Sequence, residues 1–190
     1  MLRFSYTAAM TKEHSPDRLD VKAFAQAGAH LAGHDSLLKY KRLAQEAKGL
    51  HPDLLVDWRA DGELRTPLGG QSQVWLHLKV HGTFPMECQR CLTPVDVPLD
   101  VERSFRFVAD EATAEAHDDD CEEDLLAISR EFDLRELIED ELLMALPVVP
   151  KHEVCPASVP LASSDEDFEE ANAAKPNPFA ALAGLRKGEG

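Results

Sequence analysis

Long hydrophobic runs are missing from this 190-residue chain. No stretch reaches the roughly 18 apolar residues that a membrane-spanning helix needs, so no transmembrane helix is expected. The longest apolar run in the C-terminal half, Leu142 to Val149, is cut by Pro147. The first ten residues hold one positive charge and no apolar core of the kind that opens a signal peptide, so the protein is expected to be cytoplasmic. Aromatic residues make up only 6% against 44% hydrophobic residues in all, which leaves aliphatic side chains to fill the core. There is no glycine-rich phosphate loop, no Gly-x-Ser-x-Gly and no His-Glu-x-x-His. Those absences remove common signatures of nucleotide, acyl-transfer and zinc-protease chemistry. Cysteines are few: Cys88, Cys91, Cys121 and Cys155. In a reducing compartment these fit metal binding or reduced thiols better than a disulfide framework.

Positive charge is scarce in one half only. Residues 1–109 carry 14 Lys+Arg and 13 Asp+Glu, a net of +1, whereas residues 110–190 carry 6 and 22, a net of −16, so the second half accounts for the whole net charge of −15. Phosphate neutralisation drives most nucleic-acid affinity. The acidic half should therefore repel RNA and suit a basic partner. Any RNA contact belongs to the near-neutral half or is indirect.

Residues 1–18 read as a flexible N-terminal extension, and 19–155 as an α+β domain interrupted by an acidic loop at 110–124. Residues 156–174 read as an acidic flexible linker, and 175–190 as a docking segment in which Asn177 caps a short helix bearing Phe179, Leu182 and Leu185. Within the domain, Asp20 caps a helix over 21–28, and Ser36 caps a second over 37–48 that Gly49 stops. Residues 29–35 and 125–128 read as short strands, Asp61-Gly62 as a turn and Gly69-Gly70 as a second turn or a bulge. Phe132-Asp133-Leu-Arg-Glu136-Leu137 carries a capping box and a staple, opening a helix over 134–146 with Glu139, Asp140 and Glu141 on its solvated face.

The clearest pattern is period two. Val74, Leu76, Leu78, Val80, Gly82 and Phe84 alternate with Trp75, His77, Lys79 and His81, and the alternation resumes from Val95 to Phe107. Two such strands form a long central hairpin. The expected architecture is α+β: an antiparallel β-sheet or small open barrel around that hairpin, flanked by three to four helices.

Between the strands lies Glu87-Cys88-Gln-Arg-Cys91, and the spacing of its thiols suits tetrahedral zinc. His152 and Cys155, on the extended stretch from Pro147 to Cys155, are the natural further ligands, and Cys121 is a poorer one. The competing reading is a reduced thiol pair packing as small hydrophobes. A thioredoxin-type role fits poorly, because Leu92-Thr93-Pro94 does not open a helix. His77 and His81 are separated along a strand at about 6–7 Å per two residues, too far to share a metal.

Four segments together resemble the YceD family, the bacterial large ribosomal RNA subunit accumulation proteins. They are Gly82–Val95 with its Glu-Cys-Gln-Arg-Cys block, Asp133–Pro150 with Glu-Asp-Glu-Leu-Leu-Met-Ala-Leu-Pro-Val-Val-Pro, His152 with Cys155, and Lys175–Leu182. The resemblance covers roughly residues 19–185, with residues 1–18 and Cys121 as additions. It implies a non-catalytic cytoplasmic factor in the synthesis, processing or stability of large-subunit (23S) ribosomal RNA. Joined to the charge asymmetry, it points to a ribosomal protein or assembly factor of the large subunit as partner, with ribosomal RNA touched directly or indirectly. The alternative is a zinc-dependent nucleic-acid-binding module, whose cations near the knuckle would be Arg90, Arg103 and Arg106.

Overall fold

The alternation that dominates the sequence folds into one sheet, to which the helices are fitted. In the computed structural model the described residues are 14–117 and 120–156, so the linker expected at 156–174, apart from residue 156, and the docking segment at 175–190 lie outside them. The chain divides into two compact units, Met1–Glu153 and Val154–Gly190, and of the second only residues 154–156 are described.

The sheet has five strands in the order β1-β2-β3-β4-β5: β1 His30–Ser36, β2 Leu55–Arg65, β3 Gln73–Glu87, β4 Pro94–Val108 and β5 Asp124–Ala127. It is open. The central hairpin pairs β3 with β4 from Val74 opposite Phe107 to Glu87 opposite Pro94. Val74, Leu76, Leu78, Val80 and Phe84 are buried on one face, with Leu99, Val101, Phe105 and Phe107 beside them on β4. Alternation also holds on the other face, except at Trp75 and Pro85, which are both buried. Arg65 stacks its guanidinium 4.4 Å from that indole, leaving Trp75 9% exposed.

The core face is covered by α1 (Val21–Gln26) and α4 (Leu134–Ala145), with α2 (Lys41–Glu46) packed against α4. Asp20 caps α1 by accepting from the Ala23 amide at 3.0 Å. Asp133 caps α4 by accepting from the amides of Arg135 and Glu136, both at 3.0 Å.

Several expectations are corrected. The sheet is mixed, because β5 pairs parallel to β4. A parallel neighbour needs a crossover of about a dozen residues, and the acidic stretch supplies it. Expected as a loop, that stretch contains helix α3 (Glu111–His117), with Ala114 buried and Asp110 accepting from the Thr113 amide at 2.8 Å. Asp61-Gly62 is not a turn. β2 runs straight through it, and a Cβ on Gly62 would lie 2.6 Å from the Phe24 ring, so glycine there lets α1 approach the strand.

The helix expected over 37–48 is a 3-10 turn, Leu37–Lys39, followed by the short α2. Ser36 supplies no side-chain cap. Instead Glu139 of α4 accepts from the amides of Arg42 and Leu43 at 2.6 and 3.2 Å, so this supposedly solvated carboxylate caps a neighbouring helix. Glu141 is also buried, 3.5 Å from Arg103, and burial pushes its carboxyl up. Within the expected N-terminal extension, residues 14–18 are engaged: the Pro16 carbonyl accepts from the Leu134 amide at 2.8 Å, and Asp17 pairs with Arg135 at 2.9 Å.

The break between the 3-10 turn and α2 centres on Asp35, which is buried. Its carboxylate accepts from Lys39 at 2.7 Å, from the Trp58 indole at 2.8 Å and from the buried Tyr40 hydroxyl at 3.3 Å, with Arg135 at 3.3 Å. Burial alone would raise its pKa, but Lys39, Trp58 and Arg135 outweigh it and hold the carboxyl below its ordinary 3.8. Asp35→Ala would strand the indole and phenol donors, and is expected to cost roughly 2–4 kcal/mol in urea denaturation at neutral pH. Because the native pKa is depressed, the wild-type Asp35 contribution should be complete above the unfolded pKa and fall away as pH drops through the native one. In Asp35→Ala that acidic component of the stability–pH curve should be missing.

Candidate metal centre

The hairpin closes through residues 88–93, between the end of β3 and the start of β4. The Cys88 amide donates to the Thr93 carbonyl at 2.9 Å, and the Leu92 amide donates to the Cys88 carbonyl at 2.8 Å. Leu92 is held at φ +58°, a left-handed conformation that costs a non-glycine residue roughly 1–2 kcal/mol. The turn's paired hydrogen bonds hold it there. Cys88 is fully buried and Cys91 half-buried.

The chain returns to this knuckle after α4. Pro147 ends the helical region, and the following strap crosses the hairpin tip. The Gln89 amide donates to the Pro150 carbonyl at 2.9 Å, and the Arg90 guanidinium donates to the carbonyls of His152 and Glu153 at 2.9 and 3.3 Å. The strap delivers His152 to the cysteines. Its Nδ1 stands 3.5 Å from Cys91 Sγ, and one ligand atom from each of Cys88, Cys91, His152 and Cys155 lies within 4.8 Å of the others. All four residues singled out in the sequence therefore come together. None of the four cysteines of the chain is in a disulfide, and Cys121 is outside the group, accepting from Arg106 at 2.8 Å.

The distances fit a shared ion. Zinc bonds of about 2.3 Å to sulfur and 2.0–2.1 Å to nitrogen give tetrahedral edges of about 3.8 Å between sulfurs and about 3.6 Å between sulfur and nitrogen. The electrostatics agree. Burial pushes the Cys88 thiol up, but backbone N–H groups of His152, Cys91 and Arg90 point at its sulfur and, with the Cys91 thiol, bring it down to about 5. His152 is pushed up by its hydrogen bond to Cys88, against the effect of burial. The site thus favours a thiolate, with an imidazole beside it whose protonated form that thiolate favours.

The backbone donors around Cys88 and the Arg90 anchor were not anticipated from sequence. The Cys-x-x-Cys spacing was the available hint, since it sets the amides two and three residues on toward the first sulfur. The cations required by a nucleic-acid-binding module are engaged elsewhere: Arg90 on the strap carbonyls, Arg103 beside Glu141 and Arg106 beside Glu123 at 3.0 Å. His77 accepts or donates to Glu63 and Ser104, and His81 to Asp100, on the sheet's outer face.

An open α+β sheet whose central hairpin is tipped by a Cys-x-x-Cys knuckle and crossed by a cysteine- and histidine-bearing strap defines the structural class. A family described as "Large ribosomal RNA subunit accumulation protein YceD" matches residues 76–186. The Haemophilus influenzae protein of that name is 31% identical over 183 residues, covering 94% of this chain and 99% of the relative. The chain belongs to the YceD family. No solved structure matches it.

Arg90→Ala removes the side-chain bonds that pin the strap while leaving all four candidate ligands in place. It should speed amide exchange across residues 148–154 by roughly tenfold or less, with a global stability loss of about 1 kcal/mol. Hydrogen exchange read by mass spectrometry checks this. Unchanged strap protection would mean that Arg90 does not hold it.

Proposed function

We propose that this protein is a non-enzymatic, cytoplasmic factor that supports accumulation of large-subunit (23S) ribosomal RNA through a basic protein partner. The observation that carries the reading is its membership of the YceD family, with a relative named for large ribosomal RNA subunit accumulation matched over nearly the whole length of both chains. The charge pattern supplies the choice of partner. With 22 acidic and 6 basic residues from 110 to 190, the second half would be repelled by bare RNA and drawn to a basic ribosomal protein or assembly factor. No helix among the described residues is long and apolar enough to cross a membrane.

The same reading includes a structural zinc ion held by Cys88, Cys91, His152 and Cys155. Three thiolates and one imidazole form a closed tetrahedral donor set, suited to holding structure rather than activating water. Its role would be to fasten the strap to the hairpin tip. Chain segments with about 60 residues between them in sequence would then be cross-linked at little cost in chain length.

Two measurements test these points. Protein purified without chelator should hold about one zinc per chain by elemental analysis, and Cys88→Ser or Cys91→Ser should lose it. Chelation should lower the melting temperature by about 5–10 °C. Metal-free protein with unaltered melting would contradict the metal reading. In salt titrations, the protein should bind total large-subunit ribosomal proteins more tightly than protein-free large-subunit RNA, with affinity falling as salt rises. Equal or tighter binding to the bare RNA would overturn the partner assignment.

A further inference from the structure

Residues Pro147–Pro150 form a ridge with a shallow cavity on each side. One cavity, of about 470 Å³, is lined by Met86, Leu146, Pro147, Val148 and Pro150 together with polar groups. The other, of about 440 Å³, is lined by Val95, Val97, Pro98, Pro147 and Val149 among others. Val148 is 97% exposed and Val149 59% exposed, and Met144 one turn back on α4 is 70% exposed. Isolated exposed aliphatic residues need no explanation, but adjacent ones capping a ridge between a mainly apolar groove on the Val95 and Val97 side and a more polar one on the Lys48 and Glu87 side mark an interaction surface.

The ridge is rigid for identifiable reasons. Pro147 and Pro150 fix φ on either side of the valines and offer no amide for strand pairing. Pro150 is buried and its carbonyl is bonded to Gln89, while Leu146 is bonded back to Leu143 at 3.3 Å. Both ends are therefore anchored, one on α4 and one on the knuckle. A pre-organised apolar loop loses little entropy on binding, which favours affinity. The rim is acidic on balance: Glu46, Glu87, Asp96 and Glu153 stand against Lys48 and Lys151.

We propose that the Pro147–Pro150 ridge, with its two flanking grooves, is the docking surface for a basic protein segment that inserts aliphatic side chains beside Val148 and Val149. Charge complementarity selects the occupant. The groove beside Val95 and Val97 takes apolar side chains, and the carboxylates around both grooves take lysine or arginine at the edge, as apolar-centred interfaces with polar rims do. The assignment rests on the basic-partner reading above and locates it on the surface. The strap that carries the ridge also carries His152, so fastening at the metal centre sets the ridge's position.

The test uses full-length protein with a photo-crosslinking amino acid at position 148, and at Lys79 on the sheet's outer face as control. The probe is the total protein fraction of purified large ribosomal subunits, with protein-free subunit RNA as a parallel arm. Crosslinks at 148 should reach a basic protein at least ~10-fold more efficiently than at 79, and Val149→Asp should weaken capture by about the same factor, the size of a hot-spot loss. Val149 is exposed, so that variant should fold, and melting checks it. Crosslinks from 148 to residues 157–190 of the same chain, to a second copy or to RNA would overturn the proposal, as would equal yields at the two positions. Salt-sensitive binding of the protein fraction that survives Val149→Asp would remove this surface and leave the proposed function standing. Absence of any such binding by the wild type would remove both.

Discussion

A buried sulfur surrounded by N–H donors is the constraint around which this protein is arranged. Burial alone favours a neutral thiol, yet the amides of His152, Cys91 and Arg90 bring Cys88 down to about 5, which favours the thiolate. A buried anion requires a nearby cation. The raised pKa of His152 offers one solution, an imidazolium–thiolate pair. That solution satisfies one sulfur. Two further thiols, Cys91 and Cys155, converge on the same spot, and a single divalent ion satisfies all three together with the imidazole. The proposed zinc follows from the number of converging donors more than from any one of them.

The knuckle occupies its place because the β3–β4 ladder brings it there and the strap returns to meet it. The ladder supplies stiffness, with an unbroken register from Val74 to Glu87. Its outer face is laced with hydrogen-bonded side-chain pairs. Across one row, His34, Asp57, His81 and Asp100 alternate in register on four strands, with His34 paired to Asp57 and His81 to Asp100. In the next row Lys79 meets Glu102 at 2.6 Å, and Arg59 bonds Asp61. A surface so compensated offers little net attraction to phosphate or to a strongly charged protein. The proposed recognition therefore rests on the acidic half and on the apolar ridge beside the knuckle.

Legibility in the sequence followed the range of the interactions. The hairpin, the Asp20 and Asp133 caps and the two local pairs of candidate ligands, Cys88 with Cys91 and His152 with Cys155, rest on local spacing, and local spacing is visible in one chain. The parallel pairing of β5 was not, because it depends on where a crossover returns, and a run of carboxylates hides a short helix well. Asp110 carried the signal for α3, a capping residue before Glu-Ala-Thr-Ala, but the surrounding charge read as a loop. Glu139 and Gly62 were misread for one common reason. Their roles, capping α2 and admitting α1, belong to partners far away in sequence. Asp35 likewise depends on donors from three separate segments.

The central claim is that the hairpin tip and the strap are joined by one zinc ion in a three-sulfur, one-nitrogen shell. X-ray absorption at the zinc edge on purified full-length protein tests it most directly. The account predicts three sulfur scatterers at about 2.3 Å and one nitrogen at about 2.0–2.1 Å, with a sulfur lost in Cys155→Ser. A shell made only of oxygen and nitrogen, or a sulfur count indifferent to Cys155, would contradict it.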